Sequence, residues 1–421
     1  MDTTAPLVEH FFRHEAGRLI ASMTRMFGIA NVELVEDMVQ SALLEACRVW
    51  RQRGVPENPA GWIHQVARRR VLDALRHRAI VARLAPDWAR SRSISDPAFV
   101  DDLFLDSGIE DGQLRMIFAC CHPSLDREDQ IALTLKVLCG FSNTEIGRAL
   151  LAAEEAIKKR IQRAKRRLVE QGVELDVPTA ADLSQRLDSV HQCLYLLFNE
   201  GYAASGGERA IREELCEEAA RLTHLLCQHA HCNAPATMAL LALMLFHAAR
   251  LSARTDSEGR LLLLEDQDRS LWDRRLIGVA QSYLDRSARG ASLTTYHLEA
   301  GIARLHCSAA TFAETDWAEL LRLFDMLIAL QPSPIYQLNR AIVLSHLSGP
   351  AAAIRELLQL ADAQQLRGYH FLDATLGELY RRTGDFGRAR QHLMAARAMS
   401  ITAADREVLD RRLALCHSAG D

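Results

Sequence analysis

Between Lys158 and Arg167 the chain carries seven Lys or Arg side chains and no acid. A cationic density of that kind on one short helix is chemistry for a polyanion, and for duplex DNA above all. The run belongs to the stretch SNTEIGRALLAAEEAIKKRIQRAKRRLV, from Ser142 to Val169. Ser142 and Glu145 have the spacing of a capping box, which predicts a helix start, and Ile146, Ala149 and Leu150 then give one apolar face. After a tight bend a second helix begins near Glu154. Its Ile157, Ile161, Ala164 and Leu168 form one buried stripe, with Glu155, Lys159, Gln162 and Arg166 on the opposite side. A short helix, a bend and a basic helix of about 24 Å fit a helix-turn-helix whose second helix lies in the major groove. By geometry Glu155, Lys158, Lys159 and Gln162 are placed to read bases. Arg160, Arg163, Lys165 and Arg167 are placed for phosphates, which set register without reading sequence.

Other residue types in the chain invite chemistry and are expected to do none. Cys120, Cys121 and His122 are adjacent on a helix, where neighbours diverge by about 100 degrees, so buried thiols are the better reading than a chelate. His224, Cys227, His229, His231 and Cys232 supply ligand types without a standard metal spacing, and no metal or other cofactor is expected. Asn199, Glu200, Asp266, Asp268, Arg269 and Trp272 could form a ligand or catalytic cluster, but interdomain hydrogen bonds and ion pairs are the better reading of them. Nothing shows a nucleophile with its base or a phosphate loop, so an enzyme is not expected.

The elements that must position the basic helix are helices almost throughout. The 421 residues are 49% hydrophobic and only 6% aromatic, without the sustained alternation of a half-buried strand, and their length suits two to four domains. The net charge of −4 argues against a general nucleic-acid coat protein. The basic side chains of residues 1–178 instead cluster in two places, Arg68 to Arg92 and Lys158 to Arg167. Residues 7–27 predict an amphipathic helix through Phe11, Leu19, Met23 and Phe27. Val35 to Trp50 predicts a second, burying Met38, Ala42, Leu43, Ala46 and Val49 and leaving Glu36, Asp37, Gln40 and Glu45 on another face. A Gly- and Pro-containing loop follows. Then comes a basic helix from Ala60 to Leu84, with Ile63, Val66, Ala67, Val71, Ala74 and Leu75 inward and Arg68, Arg69, Arg70, Arg76 and Arg78 outward. From Ser93 to Leu114 there is no Lys or Arg, and Asp96, Asp101, Asp102, Asp106, Glu110 and Asp111 accumulate as in a solvated linker. Leu114, Ile117, Phe118 and Cys121 then share a face, and Asp126 is placed to cap the next helix. The start lacks the apolar core of a signal peptide, Met238 to Phe246 is too short to span a bilayer, and the ten cysteines contain no CxxC pair. A cytoplasmic protein with no membrane partner is expected.

The ending with Lys158, Arg160, Arg163, Ala164, Arg167 and Leu168 resembles the fourth conserved region of RNA polymerase sigma factors of the extracytoplasmic-function type. Glu36, Asp37, Val39, Gln40 and Trp50 match the helix of their second region, and Trp62, Ile63, Ala67, Arg68, Arg69, Asp73 and Arg76 its continuation. Arg69 replaces the usual Asn, and Leu151 and Ala153 stand where Gly and Ser or Thr are common. The resemblance implies docking on core RNA polymerase through Glu36, Asp37, Gln40 and Glu45. It implies capture and melting of a minus-ten promoter element by residues 54 to 78, with Asn58, Trp62, Arg68, Arg69, Arg70 and Arg76 against DNA. Minus-35 recognition would fall to Glu155, Lys158, Lys159, Arg160, Gln162, Arg163 and Arg167. It implies also that the linker threads the polymerase channel.

Beyond Pro178 the basic runs stop. Ala341, Leu344, Ala353 and Leu357 have the small and large spacing of a tetratricopeptide hairpin, and Gly377, Tyr380, Ala389 and Leu393 repeat it 36 residues later, with Gly384 to Phe386 as the bend. Thr295 to Pro332, with Ala300 and Phe324, fits more loosely. The phrases CCHPSL, NEGYAAS and LEDQDRSLWD resemble a sigma-factor subgroup with a C-terminal tetratricopeptide-like extension. The expected class is therefore all-α: sigma region 2 at 1–84, an acidic linker at 85–111, a region 4 helix-turn-helix at 112–178, a helical connecting domain at 179–290 and repeats at 291–421. Such an extension is expected to regulate or to bind a partner, for which a small YCII-like protein is the candidate. Two other readings predict different behaviour: a helix-turn-helix regulator would bind duplex DNA tightly without polymerase, and a scaffold would keep its partner after loss of residues 1–178.

Overall fold

A computed structural model describes residues 16–24, 26–84, 115–138, 140–150, 152–173, 180–203, 211–360, 369–400 and 402–418. Phe11, the acidic linker with Leu114, Leu151, Pro178 and the Arg78 side chain lie outside them. The fold is all-α, as expected. Among the described residues there is no strand, only an isolated antiparallel bridge between Thr255 and Leu261. The chain divides into two compact units, Met1–Leu197 and Phe198–Asp421.

In the first unit, helix α1 (residues 16–24) buries Leu19 and Met23. Helix α2 (Val32–Arg53) and helix α3 (Pro59–Leu84) pack as a hairpin. Gly54, at φ 81, ends α2 in a conformation that favours a residue without Cβ. The fully buried line of α2 is Val35, Val39, Ala42, Ala46 and Trp50, facing Ile63, Ala67 and Val71 of α3. This differs from the predicted face: Met38, Leu43 and Val49 are only half-buried, as are Val66, Ala74 and Leu75 of α3. With apolar residues at i, i+4, i+7 and i+11 on two neighbouring lines, sequence alone does not say which line a partner will cover.

Helix α4 (residues 115–120), α5 (Arg127–Val137), α6 (Asn143–Ala149) and α7 (Glu154–Glu170) form the next bundle, joined by the N-terminal part of α8 (Ala180–Tyr202). Arg186 of α8 donates to the Phe118 carbonyl at 2.9 Å. The thiols of Cys120 and Cys121 are buried. Cys121 is held well above the ordinary thiol range, first by a hydrogen bond with Cys193 and then by burial. His122 turns instead to the Ser124 hydroxyl, 2.8 Å away.

The second unit is built on helix α10 (Pro235–Ala248), which packs against α9 (Glu213–Gln228), α11 (Arg274–Ser287) and α12 (Thr295–Ser308). Continued by a 3-10 turn to Ala253, it is long and apolar enough to cross a membrane by length and composition, which the run Met238 to Phe246 alone was not expected to be. Thr237 through Met244 and Phe246 are buried within the unit, which accounts for its hydropathy as that of a core helix. From α12 onward each helix packs on the next: α13 (Trp317–Leu330), α14 (Pro334–Leu347), α15 (Pro350–Leu360), α16 (His370–Arg382), α17 (Phe386–Met399) and α18 (Ala403–Ser418). Ala341, Ala353, Leu357, Ala389 and Leu393 are fully buried where these helices meet. Gly377 lets α16 approach α17 closely: a Cβ there would stand 2.7 Å from Leu393 Cγ and 3.2 Å from the Ala389 carbonyl oxygen.

Candidate nucleic-acid interface

The capping box that opens α6 is formed. The Ser142 amide donates to Glu145 Oε2 at 2.7 Å, and the Glu145 amide to Ser142 Oγ at 3.2 Å. The bend into α7 is tight because of Gly147, whose Cβ would lie 2.6 Å from the Ala152 carbonyl oxygen; this requirement was not read from the sequence. No side chain caps α7 at Ala153, and Thr144 Oγ1 instead donates to Glu154 Oε2 at 2.8 Å, tying the two helices together. Ile157, Ile161, Ala164 and Leu168 are buried as one stripe.

The cationic side chains of α7 divide differently from the expectation. Arg163 donates from Nε and Nη2 to the two carboxylate oxygens of Asp129, at 2.8 and 2.6 Å. Asp129 is fully buried, so this bidentate pair locks α7 onto α5. Arg160 pairs with Glu128 at 2.5 Å and Arg167 with Asp126 at 3.6 Å, and Asp126 makes no side-chain cap to α5. Lys165 pairs with Glu36 of α2 at 2.6 Å, both side chains nearly inaccessible. All four residues expected on phosphates thus hold carboxylates of this chain. Their carboxylate partners lie 30 or more residues away in sequence, which is why the basic run alone could not divide itself. Glu155, Lys158, Lys159 and Gln162, expected to read bases, are exposed along one side of α7, and Arg166 extends that line, with Glu170 at 3.5 Å.

The second basic patch divides in the same way. Arg70 is bonded to Ser41 and Glu45 of α2 and fastens the hairpin. Arg69 and Arg76 are exposed and share Asp73, at 4.0 and 3.2 Å. The Nε of Arg68 is buried. Asn58 Oδ1 accepts from the Gly61 amide at 2.8 Å and so caps α3. Trp62, half-buried, meets Trp50 edge-on with centroids 5.7 Å apart.

Of the expected docking residues, Asp37 and Gln40 are exposed on α2, whereas Glu45 is occupied by Arg70. Glu36 is buried against α7, contrary to its expected place on an exposed face; desolvation raises its pKa above the ordinary value, and Lys165 only partly lowers it again. The exposed line of α2 is Glu33, Asp37, Gln40, Leu44 and Arg48, with Leu44 itself 72% exposed. Leu44 belongs to neither of the faces expected from sequence. Glu33 also lines an open cleft with Lys159, Gln162, Arg163 and Arg166, so two acids of α2 stand beside the cationic helix. Where α1 meets the end of α5, a Cβ on Gly17 would come within 1.9 Å of the Leu138 carbonyl oxygen.

Among the described residues no three His, Cys, Asp or Glu side chains converge as metal ligands. In the tempting group Cys227 and Cys232 are buried, and His224 faces Gln228 and the Tyr283 hydroxyl, at 2.9 and 3.0 Å. Glu200, from the second candidate group, is buried against Arg212 at 3.4 Å, and Asp268 caps a short 3-10 turn at Ser270.

An all-helical protein that presents a helix-turn-helix beside an α2–α3 hairpin with its own basic face is built as a DNA-binding transcription factor. Residues 11–80 match sigma-70 region 2 and residues 115–168 match sigma-70 region 4. The chain belongs to the sigma-70 family, whose members bind RNA polymerase and promoter DNA. Residues 186–288 match a family of unknown function, DUF6596. The chain is 35% identical over 391 residues to an uncharacterized protein of Rhizobium meliloti (strain 1021), covering 93% of this chain and 91% of that one. No solved structure matches.

Proposed function

We propose that this protein is an extracytoplasmic-function-type sigma factor that acts in the cytoplasm without a catalytic residue or cofactor of its own. Residues 1–84 serve as region 2, 85–111 as the linker, 112–178 as region 4, and 179–421 as a connecting domain and a tetratricopeptide-like module that regulates the factor or holds a partner such as a YCII-like protein. Core polymerase docks on α2 through Asp37 and Gln40 around the exposed Leu44. The minus-ten element lies against Trp62, Arg68, Arg69 and Arg76, with Asn58 fixing the start of α3. The minus-35 element is read by Glu155, Lys158, Lys159 and Gln162, and Arg166 contacts the backbone. The acids Glu33 and Glu36 stand beside α7 as phosphates would, so promoter engagement parts α2 from α7.

One observation carries the reading. On α7 the cations that hold the fold, Arg160, Arg163, Lys165 and Arg167, are separate from the exposed line Glu155, Lys158, Lys159 and Gln162. Selection of binding sites by the holoenzyme from randomised minus-35 DNA tests it. Lys159→Ala and Gln162→Ala each relax the preference at one or two positions, by about 1–3 kcal/mol per lost base contact. Unaltered preferences in both variants would refute the assignment.

A further inference from the structure

The strongest concentration of unused chemistry lies in the second unit, where three segments bring arginines together and, among the described residues, only the more distant Glu314 carboxylate acts on Arg269. Arg250 and Arg254 follow α10, Arg269 and Arg274 flank Trp272 at the start of α11, and His306 and Cys307 end α12. Arg250 and Arg269 are only 6% and 8% exposed, and their guanidinium carbons lie 5.3 and 4.6 Å from the centroid of the Trp272 ring. Arg254 covers the Tyr202 ring at 3.7 Å. Among the described residues no carboxylate pairs with Arg250, Arg254, Arg269 or Arg274.

Part of this charge is met by backbone. Arg269 Nη1 donates to the carbonyls of His306 and Ala309, both at 2.7 Å, at the negative end of α12, and Arg274 reaches the Cys307 carbonyl at 3.5 Å. What is left is a set of buried polar atoms with no partner among the described residues: Arg250 Nε, Arg269 Nη2, His247 Nδ1 and His306 Nδ1. Burial, and then the surrounding cations, hold both histidines down near pKa 3, so they are neutral and each can donate or accept one hydrogen bond. A buried guanidinium without a counter-charge is costly, and an aromatic face offsets little of that. Two guanidinium groups over Trp272 and two neutral histidines within their electrostatic reach, with no carboxylate of the described residues paired to them, match the needs of a small oxyanion.

We propose that Arg250 and Arg269, with His247 and His306, form a binding site for a small oxyanion, the phosphate or carboxylate head of a low-molecular-weight ligand. The site falls where the chain matches the family of unknown function and its neighbouring helices. Binding there does not depend on the sigma-factor reading; only a consequence for transcription would.

The test is thermal unfolding of the full chain, titrated separately with inorganic phosphate and with acetate at fixed ionic strength against chloride. In the wild type the midpoint rises saturably with at least one of the two, and which one names the head group. In Arg250→Met the midpoint without oxyanion is equal or higher, because an unpaired buried charge is gone. Half-saturation in that variant moves to at least about tenfold higher concentration, the effect of losing one charge-assisted hydrogen bond. A wild type indifferent to both oxyanions would overturn the proposal. So would an equal, unsaturable rise in wild type and variant, which is the general salting effect of such ions. If Arg250→Met does not fold, Arg250→Lys carries the same comparison of half-saturation.

Discussion

Replacing Lys165 by Met leaves the Glu36 carboxylate buried at the contact between α2 and α7 with its closest counter-charge removed. Breaking a buried pair by removing one partner commonly costs about 3–5 kcal/mol. Here the cost has a ceiling, because Glu36 can take up a proton instead. Protonating a carboxyl of ordinary value 4.5 at pH 7 costs about 3 kcal/mol, at 1.36 kcal/mol per pH unit. The sign follows from a native pKa already raised by desolvation and raised further without Lys165. The stabilising proton is fully present below pH 4.5 and lost as pH climbs through the native value, so the deficit of the variant grows from pH 4 to pH 7. Hydrogen exchange at the α2 and α7 amides, corrected for intrinsic rates, reads this as local opening. At pH 7 protection of α2 falls roughly 150-fold, the equivalent of about 3 kcal/mol, and at pH 4 most of it returns. The double variant Glu36→Gln, Lys165→Met lies near the wild type at both pH values, since a neutral pair of similar volume removes both desolvated charges. A deficit of equal size at pH 4 and pH 7 would refute the electrostatic argument and leave only lost packing of the lysine stem.

Three further outcomes follow from particular contacts. Arg163→Met strands the buried Asp129 carboxylate and lowers stability by about 3 kcal/mol, whereas Lys159→Met, on the exposed line of α7, changes chemical denaturation by less than about 0.5 kcal/mol. Gly377→Ala drives a Cβ into Leu393 and costs about 1–3 kcal/mol, visible as an earlier unfolding transition by circular dichroism. Burial pushes the thiols of Cys216 and Cys227 up to about 12 and that of Cys307 to about 11, so a disulfide reagent at pH 8 labels the half-buried Cys47 well before any of these three.

Local signals carried much of this structure. The Ser142 and Glu145 capping box, the stripe Ile157, Ile161, Ala164 and Leu168, and the small residues Ala341, Ala353 and Ala389 obey short-range rules, and each stands where its spacing put it. Partnerships across long sequence separations were not legible. A row of arginines reads the same whether its members face water or a carboxylate from another helix, so the roles of Arg70, Arg160, Arg163, Lys165 and Arg167 depend on Glu45, Glu128, Asp129, Glu36 and Asp126. The same limit hid Leu44. On an amphipathic helix with two apolar lines only tertiary contact decides which is left outside. It hid Arg250 and His306 as well: Arg269 and Trp272 stand out in the sequence, but residues 250, 269 and 306 become neighbours only when three segments close on each other.

On the proposed reading this chain directs RNA polymerase to promoters through α2 and α7. Run-off transcription with purified core polymerase, the full chain and fragments of its own genome tests that claim most directly, with transcript starts mapped for the wild type and for Asp37→Ala, Gln40→Ala. Discrete starts sharing a pair of upstream motifs are expected from the wild type, and they are lost in the double variant because docking on α2 fails. Absence of specific starts, together with no binding of the wild type to core polymerase, would contradict that reading.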